Sequence, residues 1–192
     1  MESYYLNKKY IDITNLIQNE FERNVSKYGD KIKCKKGCSK CCSQIFKITF
    51  VDSIIIQKYL NSISTEEKNN LKAKAKKYLT EINSEHSKHN EYFSKPEIPC
   101  PALSENGECM IYEARPVICR RFGPPVYDYK NPGKIFACDL NFKEGEEIID
   151  DELISNQTSI GKEWDKLKTE FNTLSDLSEN SSTTIAEAIF NS

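Results

Sequence analysis

Eight cysteines in a chain of 192 residues fall into two groups, and their spacing limits the fold more than any other feature. The first group is Cys34-x3-Cys38-x2-Cys41-Cys42 and the second is Cys100-x8-Cys109-x9-Cys119-x18-Cys138. The second group lies in residues 94–142, together with all seven prolines and with Gly107, Gly123 and Gly133. Such a stretch is dominated by loops and short helical turns. Loops of this length are uncommon inside a compact domain unless something holds them, and a metal bound by thiolates is the natural tether.

Disulfides, metal ligation and thiol chemistry are the three readings of such a cluster, and composition separates them. The chain is 38% hydrophobic with a net charge of -2 and a mean hydropathy of -0.62, which suits one soluble domain or a domain with an appendage. It is long enough to bury a core of its own and needs no staples for lack of size. Glu2 follows the initiator, no apolar run has signal-peptide length, and the longest aliphatic run is Ile54-Ile55-Ile56. These features read as a cytoplasmic protein with no membrane partner. In a reducing cytosol, cysteines serve as metal ligands or reactive thiols rather than as a disulfide framework. Near-neutral charge of mixed sign gives no nucleic-acid footprint.

Apolar residues at Leu6, Tyr10, Ile13, Ile17, Phe21, Val25 and Tyr28 predict a helix over 6–28 with Gly29 at its C-cap. The run "QIFKITF" predicts a short strand. Thr49 with Asp52, and Ser64 with Glu67, are capping boxes that open two further helices. The first carries an expected stripe of Ile55, Tyr59 and Ile63. The second carries Leu71, Ala75, Tyr78, Ile82 and Phe93, with a lysine-rich outer face read as solvated surface. The acidic run 144–152 reads as a solvated linker before a helix over 160–174 bearing Trp164, Leu167, Phe171 and Leu174, and a short final helix runs through Phe190. No strands alternate with helices, so the class is mainly α: a small helical domain with a long irregular cysteine-rich loop region organised around metal. The expected organisation is an N-terminal helix over 1–29, a metal-binding domain over 30–142 and a helical extension over 143–192.

Zinc and iron-sulfur clusters both select thiolate, because soft sulfur delocalises its charge onto the metal. Eight thiols fill two four-coordinate sites or one polynuclear centre with none left over. If Cys41 and Cys42 lie in extended chain, their side chains point to opposite faces: either one is a ligand and the other a buried spectator, or both are ligands and two metals or one cluster sit on either side of the peptide bond that joins them. Lys33, Lys35, Lys36, Lys40, Arg115, Arg120 and Arg121 flank cysteines; such cations either lower thiol pKa values or are solvated surface charges.

"CKKGCSKCC", followed by "CPALSENGECMIYEARPVICRRFG", resembles the YkgJ-like or CxxCxxCC cysteine-cluster family of zinc- or iron-chelating domains. The resemblance covers 34–138 and is most specific in C-P-x-L and in G-x-C-x-I-Y-E-x-R-P-x-x-C-R. One departure is the three-residue gap between Cys34 and Cys38, where the family's short name has two. The resemblance implies metal binding. A related motif in bacterial flagellin lysine methylases, where an iron-sulfur centre is implicated, implies an enzymatic alternative acting on a protein substrate.

Other signals are weaker. Cys34-x3-Cys38-x2-Cys41 matches the spacing of radical S-adenosylmethionine enzymes, but Lys40 stands where an aromatic residue is usual and the alternating strands and helices of that barrel are missing. His86 and His89 are spaced to face one metal, although such pairs are commonly surface residues. Tyr112, Glu113 and Arg115 read as local structure, with Arg115 available to carbonyls or thiolates and Pro116 opening a short helix that turns Cys119 inward. There is no Gly-rich phosphate loop, G-x-S-x-G or H-E-x-x-H. The reading is therefore a metal-binding protein using zinc or iron, with an iron-sulfur cluster as one form, and with Cys34, Cys38, Cys41, Cys42, Cys100, Cys109, Cys119 and Cys138 as ligands.

Overall fold

The apolar period in the first 28 residues folds as helix α1, Glu2–Tyr28, in a computed structural model that describes residues 2–35, 37–88, 98–178 and 181–192. Helix makes up 58% of the chain in six α-helices among the described residues, so the protein is mainly α. The backbone divides into two units. The first comprises Met1–Lys35 and Val117–Ser181, the second Lys36–Pro116 and Ser182–Ser192.

In the first unit, α1 packs on α5, Asp151–Leu174, and on the short α4, Val117–Arg121. Tyr10, Ile13 and Ile17 are buried from α1, and Leu153, Ile160, Trp164 and Leu167 from α5. Tyr10 meets Trp164 edge to face at 6.0 Å between ring centroids, so Trp164 is a core residue as expected. The buried face of α1 does not continue through Val25, which is 40% exposed, but through Glu20 and Asn24. These polar residues are satisfied inside a network: Arg23 bridges Glu20 at 2.7 Å and Asp150 at 3.0 Å, and Asn156 donates to Glu20 at 2.8 Å. Hydrophobic periodicity has no means of seeing a stripe completed by paired charges.

Two further expectations are corrected in this unit. Helix α5 begins at Asp151 rather than near residue 160, and the end of the acidic run is structural. Asp150 is buried and caps α5, accepting from the Leu153 amide at 3.0 Å and from the Tyr28 hydroxyl at 2.8 Å. Burial opposes its ionisation, yet the Leu153 amide and the Lys27, Tyr28 and Arg23 side chains hold its carboxyl well below the usual carboxylate range. At the other end of α5, Leu174 is 70% exposed because the stripe ends at Leu167 and Phe171. Strands β2, Val126–Tyr127, and β3, Ile135–Phe136, pair antiparallel and brace the loop that carries Cys138.

In the second unit, β1 is Lys47–Ile48, only two residues from the middle of the expected run, followed by helix α2, Phe50–Leu60, and helix α3, Thr65–Lys88. Both capping boxes form: Thr49 Oγ1 accepts from the Asp52 amide at 3.1 Å, and Ser64 Oγ from the Glu67 amide at 3.2 Å. The buried face of α2 is Val51, Ile56 and Leu60 with Asp52 and Ser53, not the predicted Ile55, Tyr59 and Ile63. The sequence "FVDSIIIQKYL" is apolar nearly all round, so its period selects no face. Leu71, Ala75 and Tyr78 of α3 are buried as expected. Helix α6, Ile185–Phe190, packs on both α2 and α3, while β4, Thr183–Thr184, pairs antiparallel with β1, Lys47 opposite Thr184. The final residues therefore belong to the core of this unit. Phe93 and His89 lie outside the described residues, and only the backbone of His86, within α3, is described.

Candidate metal centres

Five of the cysteines belong to the second unit, namely Cys38, Cys41, Cys42, Cys100 and Cys109, and the other three to the first. In the second unit, residues 40–43 form a 3-10 turn in which the Cys42 amide donates to Ser39 O at 2.8 Å and the Gln44 amide to Cys41 O at 3.1 Å. The turn corrects the extended-chain expectation for the doubled cysteine. Instead of pointing to opposite faces, the two thiols lie near enough for a side-chain hydrogen bond between them to lower the Cys41 thiol and raise that of Cys42.

Cys100 is fastened to this turn by its amide, which donates to Cys42 O at 2.7 Å. From there the chain folds into a tight loop: the Leu103 amide returns to Cys100 O, Met110 N–H reaches Ala102 O at 2.7 Å, and Leu103 bridges to Cys109. Gly107 turns that loop at φ +76°, where an added Cβ would stand 3.4 Å from Gly37 O. Cys109 is thereby carried back toward Cys100. Cys38, half-buried directly after Gly37, makes no hydrogen bond to a described residue.

Electrostatics tie Cys41, Cys42, Cys100 and Cys109 into one group. The hydrogen bond from Cys42, helped by the positive charge of Arg115, brings the Cys41 thiol down to about 6 against its burial. That bond pins the proton on Cys42, whose thiol is pushed up, with burial and the charges of Cys41, Cys100 and Cys109 adding to it. Burial raises the Cys100 thiol to about 11, the charges of Cys109 and Cys41 push the same way, and Lys74 pulls against them. Four thiols that repel one another's charge this way are a donor set whose protons a metal cation displaces. Arg115 is stacked on Tyr112 at 4.9 Å, and its positive charge favours the Cys41 thiolate. Arg121 instead donates to Gln157 at 2.8 Å, and Lys33, Lys35 and Lys40 are exposed; Lys36 lies outside the described residues.

Lys74 was missed by the sequence reading of α3 as a solvated lysine face. Its ammonium donates to Leu103 O and lies 3.7 Å from Met110 Sδ, holding the loop between Cys100 and Cys109. The signal was present: residues 71, 74, 75 and 78 share one helical face, and Lys74 is the charged member of the buried stripe.

In the first unit, α1 ends at Gly29, φ +51°, and a 3-10 turn leads into extended chain at Ile32 that delivers Cys34. Cys34 sits against Gly123, where a Cβ would meet its sulfur at 2.5 Å. The Cys138 amide donates to Gly123 O at 2.9 Å, and the Cys138 thiol donates to Asp139 Oδ1 at 3.4 Å; burial raises that thiol first, the bond to and charge of Asp139 add to it, and the charge of Cys34 adds least. Cys119 lies on α4 one turn before Gly123. Pro116 directly precedes α4 rather than occupying its first position. Asn141 closes the group, its Nδ2 lying 3.3 Å from Cys34 Sγ and 2.7 Å from Gly123 O.

Among the described residues, no three His, Cys, Asp or Glu side chains are arranged to hold a metal ion as they stand. Coordination requires the thiols of each unit to lose their protons and rotate toward a common point. The residues nonetheless fit a thiophilic metal in two respects. The donors in the second unit are all sulfur, and the first unit keeps a glycine where any side chain would displace Cys34.

A family model described as "CxxCxxCC: Putative zinc- or iron-chelating domain" matches residues 33–135, more than half of the chain. The protein belongs to the CxxCxxCC family. No curated protein and no solved structure matches it. The CxxCxxCC match takes in every cysteine from Cys34 to Cys119 and stops short of Cys138 and Asn141. Among the described residues of this CxxCxxCC protein, no helix is long and apolar enough to cross a membrane.

Proposed function

We propose that this CxxCxxCC protein is a cytoplasmic metalloprotein that holds zinc or iron through Cys34, Cys38, Cys41, Cys42, Cys100, Cys109, Cys119 and Cys138. In this reading Cys41, Cys42, Cys100 and Cys109 form a four-thiolate centre in the second unit, where Cys38 is a fifth, alternative donor. Cys34, Cys119 and Cys138 supply a second centre in the first unit. The observation that carries it is the backbone geometry that brings these cysteines together: a 3-10 turn at residues 40–43, the Cys100 amide donating to Cys42 O at 2.7 Å, and the bridge from Leu103 to Cys109. Arg115 and Lys74 offset the negative charge such a set accumulates.

Bound zinc supplies cross-linking without redox chemistry, and iron adds the capacity to carry an electron. The chain's own contribution is to align the donors. Metal binding then stabilises the cysteine-bearing loops, and structural zinc sites are worth roughly 10–16 kcal/mol in small peptides at neutral pH. Anaerobic purification followed by elemental analysis and a visible spectrum tests the reading. A colourless protein with stoichiometric zinc identifies a structural zinc protein. A brown one identifies an iron-sulfur centre and favours the protein-modifying enzyme. A metal-free protein with eight freely titrating thiols contradicts both.

A further inference from the structure

Asn141 is 7% exposed, and its side chain contributes to no helix or strand. Its amide is instead spent on three parts of the first unit. Nδ2 donates to Cys34 Sγ at 3.3 Å and to Gly123 O at 2.7 Å, and Oδ1 accepts from the Lys33 amide at 2.8 Å. The orientation of the amide follows from those partners. Reversing it sets Oδ1 against the Gly123 carbonyl and Nδ2 against the Lys33 N–H, two repulsions in place of two bonds. The Asn141 amide nitrogen also donates to Cys138 O at 2.8 Å, so the residue is fixed to the Cys138 loop.

A hydrogen bond to sulfur favours thiolate over thiol and withdraws electron density from it. Groups that bond a metal's ligands orient those ligands and tune the metal, and losing one commonly costs about 10- to 100-fold in affinity. We propose that Asn141 is the positioning residue of a thiolate metal centre in the first unit, donating its side-chain N–H to the Cys34 sulfur and so setting how strongly that sulfur binds the metal. The inference rests on the reading of Cys34 as a ligand and extends the metal-binding region of this chain beyond residue 135.

The test uses the full chain and cobalt(II) as the probe, with Asn141→Asp as the variant. Aspartate keeps an oxygen for the Lys33 amide and replaces the N–H facing Cys34 with a carboxylate oxygen. Asn172→Asp is the control, since Asn172 is buried in the same unit and donates to Ser178 O at 3.1 Å. The expected result is a thiolate-to-cobalt charge-transfer band in the wild type that moves to lower energy in Asn141→Asp, with affinity about 10- to 100-fold weaker. Asn172→Asp leaves the band in place.

An unmoved band in Asn141→Asp, whatever its affinity, overturns the role of Asn141 while leaving the metal reading intact. Absence of any thiolate band in the wild type removes the metal reading itself. If Asn141→Asp does not fold, the wild type loaded with NMR-active cadmium decides the matter. A scalar coupling between cadmium and the Asn141 side-chain amide proton, relayed through Cys34 sulfur, supports the inference, and an amide without that coupling overturns it.

Discussion

Replacing Gly123 with alanine adds one carbon and removes no ligand, which makes it the sharpest probe of the first-unit centre. The added Cβ lands 2.5 Å from Cys34 Sγ, whereas ordinary contact begins near 3.4 Å, so the sulfur must retreat by nearly 1 Å. Thiolate–metal bonds are held to within about 0.2 Å. A sulfur displaced so far leaves the coordination sphere or drags the loop with it. Gly123 also sits at φ +127°, where a side chain adds backbone strain of about 1–3 kcal/mol. Gly133→Ala separates the two effects: it has φ +87° in the same unit, but nothing lies within 4 Å of its added Cβ. Competition for zinc against a chromophoric chelator, with metal counted per chain, reads the outcome. Gly133→Ala is expected to bind zinc as the wild type does. Gly123→Ala is expected to bind at least about 100-fold more weakly at one site, the upper end of what losing a supporting contact does, and to keep the four-thiolate centre. Equal binding by the two variants refutes the placement of Cys34 as a ligand beside Gly123.

Three other substitutions probe the scaffold. Asp150→Asn removes the charge that Arg23, Lys27 and Tyr28 surround and is expected to cost about 3 kcal/mol at pH 7, read by denaturant melts. Because the folded pKa of Asp150 is depressed, its contribution is present above the unfolded value of about 3.9 and is lost as pH falls through the folded value. The variant should therefore show a shallower loss of stability below about pH 5, and an unchanged acid profile counts against the network. Gly161→Ala places a Cβ 2.7 Å from the Tyr129 ring and should destabilise by about 1–3 kcal/mol in spite of alanine's helix propensity. In a Tyr129→Ala background the same change should stabilise, and a melt showing one sign in both contradicts the packing. Lys74→Met keeps the stem and loses a charged hydrogen bond worth about 1.5–3 kcal/mol; faster amide exchange in residues 100–110 is expected, and unaltered exchange there removes Lys74 from the site.

Helices, and the starts marked by capping boxes, were legible because their signals are local. The Thr49–Asp52 and Ser64–Glu67 boxes form as read, and Leu71, Ala75 and Tyr78 face inward because a single apolar stripe leaves no choice. Faces failed where the pattern held no information, as in α2, or where polar residues completed the buried stripe, as with Glu20 and Asn24. The acidic run misled for the same reason. Asp150 reads as one more solvated charge until its partners Arg23, Lys27 and Tyr28, over a hundred residues away in sequence, are brought to it. At the candidate centres, spacing marked the thiols but hid their grouping. Cys34 and Cys38 have only three residues between them and fall in different units, whereas Cys42 and Cys100 are joined by a backbone hydrogen bond of 2.7 Å. Asn141 carries no motif, and only the fold brings it to Cys34.

X-ray absorption at the metal edge, measured on anaerobically purified protein, tests the central claim most directly. The account predicts a first shell made of sulfur, at about 2.3 Å for zinc. A first shell of nitrogen or oxygen at about 2.0–2.1 Å, or a protein that carries no metal while all eight thiols react freely, contradicts it.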